Sequence, residues 1–501
     1  MMQDAPHTLY VARAARAAAS LRYVLVMTTL LATGCAVGPD FKAPAAPATS
    51  QYVADDEKME STIDAGLGAP TQALQVGERV QRDWWTLFQS PDLDSVVKQS
   101  ITGSPTLESA KARLAQAHES VTAASSALYP EVSVSAGASR EKLNAAGFGL
   151  APDSFALPPN FNLFEAGATA SYSPDIFGGT RRKVEQQEAL EAFAGEQVHA
   201  AYLTLTGNVV SAAVQIAAIR AQTEALNHIL DIDQQNVELV RKARDAGAVP
   251  DSDVITAESQ LASDKTLQPS LDQQMSEARH ALAVLLGKSP SEWSPPQFNL
   301  NTLALPGELP VTLPSELVHR RPDILAAEAQ LHAASAQIGI ATAQLYPSIT
   351  LSGSAGGAAL HGGDLFDPAA LVWRIAAGIT QPIFDGGRRR AEQRAALAAF
   401  RASAADYQQT VLQALGQVAD ILKALEHDGN LLAAQSTALD MAAQSVRLQR
   451  ISYSSGGTGL LSLLDAQRQY QGALLGYVRA QAQRYQDSMQ LLVAMGGGWW
   501  N

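Results

Sequence analysis

Pro105-Thr106-Leu107 and Leu128-Tyr129-Pro130 return 217 residues later as Pro322-Asp323-Ile324 and Leu345-Tyr346-Pro347. Pro174-Asp175-Ile176-Phe177-Gly178-Gly179 returns 208 residues on as Pro382-Ile383-Phe384-Asp385-Gly386-Gly387. Gly247 with Ala257-Glu258-Ser259-Gln260 returns 209 residues on as Gly456 with Ala466-Gln467-Arg468-Gln469. Anchors so far apart at nearly constant offsets mean that one supersecondary unit is written twice. The change of offset marks a nine-residue insertion between the Tyr-Pro and Gly-Gly marks of the first copy.

Each copy, 105–286 and 322–495, reads as helix, two strands, long helix, sharp turn, helix, with 287–321 as the linker. The leading helices end where Tyr129 and Tyr346 precede proline, which drives them out of the α region. Alternation of period two follows, over about 131–173 and 348–381. Val132, Val134 and Ala136 alternate with Ser133, Ser135 and Gly137, and Leu371, Trp373, Ile375 and Ile379 with Arg374, Gly378 and Thr380. Such segments suit transmembrane barrel strands, or else a half-buried hairpin in a soluble sheet. Tyr129, Tyr346 and Trp373 fit either interfacial aromatics or ordinary packing.

The helices decide between those readings. From about 181 to 246 and from 388 to 455 nothing breaks the helical pattern, a run of about 100 Å at 1.5 Å per residue. Val198, Tyr202, Leu205, Val209, Ala212, Ile216 and Ile219 step by three and four. So do Leu397, Phe400, Ala404, Tyr407, Val411, Ala414, Val418, Ile421 and Leu425. That 3.5-residue seam drives left-handed coiling. The later helices, 250–286 and 459–495, complete each copy. No run approaches 18 apolar residues, so the chain can cross a membrane only with strands. Four strands are too few to close a barrel, for which about eight is the minimum. Other copies of the chain must supply the rest.

Residues 1–34 read as a signal peptide: Arg13, Arg16 and Arg22 precede a short apolar stretch from Tyr23 to Ala32. Leu31-Ala32-Thr33-Gly34-Cys35 resembles a bacterial lipobox, and a plain secretory signal with an incidental cysteine is the alternative. In lipoproteins of this type Cys35 carries diacylglyceryl and N-acyl chains such as palmitate, and Ala36 after it implies sorting to the outer membrane. The segment 35–104 then begins as an extended tether. No other cysteine exists among the 501 residues, which excludes disulfide frameworks and thiolate metal sites. A formal charge of −13 excludes a nucleic-acid binder. The nine histidines lack HExxH spacing and no GxGxxG, Walker A or GxSxG signature occurs, so neither an enzyme, a metal site nor a cofactor is expected. A coiled-coil scaffold or periplasmic adaptor would explain the heptads but not the paired strands.

Trp84-Trp85 with Leu87-Phe88, Arg320-Arg321-Pro322-Asp323-Ile324 with Ala327-Glu328, and Gln381-Pro382-Ile383-Phe384-Asp385-Gly386-Gly387-Arg388 occur in order. Leu464-Asp465-Ala466-Gln467-Arg468 and the closing Gly496-Gly497-Gly498-Trp499, in the tail 496–501, follow them. In this order the chain resembles the TolC-type outer-membrane efflux factors, in their lipid-anchored NodT/OprM-like branch. The resemblance implies an α+β homotrimer: a membrane β-barrel of four strands per protomer and twelve per trimer, continuous with a long periplasmic α-helical coiled-coil barrel. It also implies an equatorial belt built from the chain ends and the inter-repeat segment. The implied function is the exit duct of a tripartite efflux pump, passing small molecules such as drugs. Its partners would be a periplasmic membrane-fusion adaptor and an inner-membrane transporter of RND type. Ducts for metal-ion efflux or type I protein secretion share the architecture and remain alternatives.

The resemblance also implies the working residues. Leu461, Asp465 and Arg468 match the periplasmic constriction, an apolar ring beside an acidic ring with basic partners. Spacings of four and three put them on one helix face. Three Asp465 carboxylates about 6 Å apart would repel by roughly 0.7–2.8 kcal/mol per pair, so Arg468 or bound cations must hold a closed end together. An ordinary exposed ion pair is the other reading. The tips around Arg244 and Gly247 and around Tyr453 and Gly456 would meet the adaptor. Gly178-Gly179 and Gly386-Gly387 serve backbone geometry at the strand–helix junctions. The arginines that follow, Arg181-Arg182 and Arg388-Arg389-Arg390, read as solvated helix starts, with contact to membrane-proximal anions as the alternative.

Overall fold

The computed structural model describes residues 36–47, 49, 51–54, 60–66, 70–142 and 160–497. The signal segment, Cys35 and Gly498-Trp499 lie outside the described residues. In chain order the strands are β1 (Thr62–Ile63), β2 (Gln72–Val76), β3 (Glu131–Lys142), β4 (Asn160–Tyr172), β5 (Glu308–Val311), β6 (Ser348–Ala359) and β7 (Leu371–Thr380). The helices are α1 (Pro91–Gly103), α2 (Pro105–Ser126), α3 (Gly179–Asp245), α4 (Asp251–Lys265), α5 (Leu267–Leu285), α6 (Pro314–Leu317), α7 (Pro322–Ala343), α8 (Arg388–Ser454) and α9 (Leu460–Ala494). They fall into two units. One holds Met1–Ala43, Ala115–Ala192 and Ala329–Ala405, and the other Pro44–Leu114, Phe193–Glu328 and Asp406–Asn501.

The first unit contains an antiparallel sheet in the order β3-β4-β6-β7. The two hairpins share one register plan: Glu131 pairs with Ser171 in the first and Ser348 with Thr380 in the second. Both 67-residue helices begin one residue after a left-handed glycine, Gly178 (φ 78°) before α3 and Gly387 (φ 86°) before α8. The equivalence is therefore Gly178 with Gly387, a spacing of 209, not the 208 that aligning the two Gly-Gly pairs suggests. The second junction spends its extra residue on Gly386, also left-handed at φ 65°. An aspartate caps each start. Asp175 accepts from the amides of Thr180 and Arg181, and Asp385 from those of Gly387 and Arg389.

The second unit holds the main apolar core. Trp84, Trp85 and Phe88, on a single 3₁₀ turn, are fully buried, each contributing about 2–3 kcal/mol by area. Trp85 donates its indole N–H to Asp94 at 3.0 Å. Arg321 binds Asp323 at 2.7 Å, Gln417 at 3.1 Å and the carbonyl of Ala494 at 3.0 Å, tying the start of α7 to α8 and to the end of α9. A three-stranded sheet, β1-β2-β5, pairs β2 with β5 in parallel. The run 250–286 is two helices instead of one. Pro269 lacks an amide proton and its ring crowds the carbonyl of Lys265, so the chain breaks at Thr266. One 18-residue window of α3 does reach a mean hydropathy of 1.4, against the expectation that none would come close. It is largely buried in this unit, where Val209, Val210, Ala213, Val214 and Ile216 join the core. The seams pack as their spacing implies, except that Leu397 is exposed and Ala396 is buried beside it.

Candidate transport path and gate

Facing partners in an antiparallel ladder lie on the same side of the sheet. Val132, Val134 and Ala136 face Ala170, Ala168 and Ala166. These line up through Gly353, Ala355 and Gly357 with Ile375, Trp373 and Leu371. That side is apolar and exposed: Ile375 is 82% and Trp373 71% exposed. The other side carries Ser133, Ser135, Thr169, Ser352, Ser354, Arg374 and Thr380, with Glu165 two rungs from Arg374. One face fit for lipid and one fit for water is the signature of a channel wall. The edges β3 and β7 have no neighbour among the described residues.

The tips reverse by the same device. Gly247 (φ 74°) donates to Arg244 at 2.8 Å while Ala248 donates to Ala243 at 2.9 Å. Gly456 (φ 75°) and Gly457 repeat the pattern on Tyr453 and Ser452, at 3.1 and 2.8 Å. Both are Schellman closures, in which a left-handed residue satisfies the last carbonyls of a helix. The first tip is charged: Arg244 pairs with Asp245 at 2.6 Å and reaches Asp251 at 3.6 Å. The second is uncharged from Ile451 to Leu464. There Leu460 and Leu464 pack with Val237, Val254, Leu261 and Tyr453, while Leu461 stands 73% exposed. Asp465 and Arg468 join at 2.7 Å, and Gln469 donates to Asp465 at 3.0 Å. The structure thus brings Asp465 and Arg468 together on the exposed side of α9.

At the first junction Gly178 has a second role. Val37 donates its amide to the carbonyl of Phe177 at 3.1 Å, and a side chain on Gly178 would strike the backbone of Ala36. Arg182 is nearly fully buried, contrary to its reading as a solvated helix start. Its guanidinium binds Asp40 and Glu185, both at 2.7 Å, and the carbonyl of Val37. Phe41 stacks on His332 with 4.3 Å between ring centres. The residues just after Cys35 are thereby fastened to the strand–helix junction.

Two carboxylates lie on the buried seams. Asp233, 2% exposed, continues the heptad of α3, and Asp428 follows Leu425 by three on α8. Neither oxygen of Asp233 receives a donor, and the group lies against Asp264, which accepts from Gln260 and Gln471 at 2.8 Å. Burial, then the hydrogen bond and charge of Asp264, push Asp233 up to about 7. Burial likewise raises Asp428, reinforced by Asp487 and opposed by Arg484. Composition hides these groups, but an aspartate falling on an apolar seam is a visible signal.

The comparisons agree with this geometry. Residues 96–288 and 313–497 match the family described as "Outer membrane efflux protein". The chain is 33% identical to the pyoverdine export outer membrane protein OpmQ of Pseudomonas aeruginosa, over 87% of this chain and 93% of the relative. It is 29% identical to nodulation protein T of Rhizobium leguminosarum bv. trifolii, over 95% and 97%. Its fold is similar to the solved outer-membrane channel OprN, with a TM-score of 0.82 and 29% identity, covering 93% of this chain and all of that one. A sheet wet on one face and greasy on the other, repeated hairpin tips and full-length likeness to efflux channels lead to one conclusion: the chain belongs to the outer membrane efflux protein family, as an outer-membrane channel of an efflux pump.

Proposed function

We propose that three copies of this chain close a twelve-stranded barrel and form the exit duct of a tripartite pump. A periplasmic adaptor and an inner-membrane transporter feed it, and its cargo is small molecules. The observation that carries this is the four-stranded sheet with one apolar face and two open edges. In lipid each unpaired backbone group would cost several kcal/mol, so neighbouring copies must cover the edges. The export of pyoverdine named for one relative accords with small-molecule cargo. Cys35 is the site of lipidation in this reading. Fastening of Ala36 and Val37 at the junction supports it, because acyl chains there would start beside the membrane-facing strands.

Leu461, Asp465 and Arg468 form the gate, with Leu461 as the apolar ring. The Asp465–Arg468 pair is more than half exposed, so it holds little energy within one protomer, about 0.2–1 kcal/mol. Its leverage comes from threefold repetition around the axis. Asp465→Ala and Arg468→Ala should each leave oligomers intact and raise single-channel conductance in planar bilayers. Unchanged currents for both would remove these residues from the gate.

The tips around Arg244 and Gly247 and around Tyr453 and Gly456 receive the adaptor. Nothing lies within 4 Å of where a side chain on Gly247 would begin. Gly247→Trp should therefore preserve outer-membrane levels while abolishing export, read by accumulation of a dye substrate. Full export by that variant would sink the docking role.

A further inference from the structure

We propose that β7 of one copy zips onto β3 of the next in a single register that sets Ala376 opposite Ser139 and Arg374 opposite Glu141. The inference rests on the oligomeric barrel proposed above and names how its copies join.

The internal repeat supplies the register. Inside the chain the second strand of the first hairpin pairs with the first strand of the second hairpin, and Gly167 faces Gly356. Gly167 stands four residues before Ser171, which opens its hairpin opposite Glu131. The residue four before Thr380, the equivalent opening position, is Ala376. Gly356 stands eight residues after Ser348, and the residue eight after Glu131 is Ser139. If the join between copies repeats the join between hairpins, Ala376 faces Ser139.

That register comes from backbone pairing alone, yet the side-chain chemistry fits it. Two residues along, on the polar face, Arg374 meets Glu141. Arg374 has no ion-pair partner among the described residues, and Glu141 is bound only by Ser139 at 3.0 Å. On the apolar face Ile379 meets Ala136, and Trp373 meets Lys142, an aromatic–cation pair suited to a membrane rim. A slip of one residue would put every apolar side chain in the water path. A slip of two would lose the Arg374–Glu141 pair.

A second observation is independent of the strands. Where the two repeats meet within the chain, Phe177 stacks on Tyr346 with ring centres 4.8 Å apart. Aromatics on the outer flanks are bare: Tyr129, the repeat mate of Tyr346, is 71% exposed, and Phe384, two residues before the position equivalent to Phe177, is 90% exposed. A neighbouring copy placed by the same rule sets Gly386 of one chain opposite Tyr129 of the next, with Phe384 two residues away.

Paired cysteines test this cleanly, because Cys35 is the only native cysteine and is acylated in this reading. Directly opposed residues are about 4.5–5.5 Å apart between Cα atoms, within disulfide range, whereas neighbours one rung off on the same face are about 7–8 Å apart. In outer membranes, Ala376→Cys with Ser139→Cys should give a reducible ladder of dimer and trimer under mild oxidation. Ala376→Cys with Gly137→Cys, or with Glu141→Cys, should give at least fivefold less. Stronger cross-linking by either shifted pair overturns the register, as does no cross-linking by any pair in oligomers that survive extraction. Absence of oligomers from the unmodified protein would instead overturn the barrel reading itself. Arg374→Glu should make the oligomer dissociate at lower temperature in detergent, and Arg374→Glu with Glu141→Arg should restore it. No rescue by the double reversal would also count against the pairing.

Discussion

Gly287→Ala should destroy the folded protein, at a cost above about 4 kcal/mol, the range reserved for unrelievable clashes. Gly287 closes α5 at φ 70°, donating to Val284 at 2.9 Å while Lys288 donates to Ala283 at 3.0 Å. The left-handed backbone alone would cost an alanine about 1–2 kcal/mol. The steric clash costs more. A Cβ there would overlap the carbonyl oxygen of Gly103 and lie 3.0 Å from the ring of Pro105. Gly103 is equally constrained, since its own Cβ would stand 2.6 Å from the carbonyl of Leu286. Backbone meets backbone, so no rotamer change relieves the contact. Gly247→Ala is the matched control: the same handedness at φ 74°, open space around it, and an expected loss of only about 1 kcal/mol. Outer-membrane yield and denaturant midpoints of the two variants should differ widely. Equal losses would show that the Gly103–Gly287 contact carries no steric cost.

Asp233→Asn should stabilise the protein at pH 8 and do little below about pH 4. Asp233 is raised to about 7 in the fold by burial and by Asp264, against an ordinary carboxyl near 4. The folded state therefore holds the proton more tightly than the unfolded chain does. The stability tied to that proton is complete below about pH 4 and drains away as pH rises toward 7, at most about 4 kcal/mol in all. Asparagine cannot ionise and keeps the shape, so the variant escapes the loss. For a chain of 501 residues each kcal/mol moves the midpoint by roughly 1 °C, so the unfolding midpoint at pH 8 should rise by up to about 4 °C. A variant no more stable than the native protein at pH 8 would remove Asp233 as the source of the pH dependence.

Much of this was legible in the residues. Period-two alternation marked β3 and β7, and the repeat supplied their hairpin partners, because each strand must face lipid on one side and water on the other. Two turn glycines located the tips because a helix end needs a left-handed residue there. The i,i+3 spacing of Asp465 and Arg468 anticipated their contact. The small sheet was opaque: β2 and β5 are four or five residues long and pair in parallel across more than 200 positions, beyond the reach of any local pattern. Helix α1 carries its own start signal, Ser90 accepting from Leu93 ahead of Pro91, yet sits too close to Pro105 to separate by periodicity. The buried aspartates showed only as single polar residues at seam positions, which composition does not register. The one-residue offset between the junctions arose because matching glycines by type differs from matching them by conformation.

The clasp formed by residues 36–41 has a temporal meaning. Its partners are Gly178 and Arg182 from the first repeat and Gly339 and His332 from the second. The ribosome makes the clasp first and its last partner some 300 residues later. A nascent chain therefore cannot seat its own beginning until both halves exist. A polypeptide truncated after the first half lacks Gly339 and His332 and should keep a looser, more protease-accessible leader.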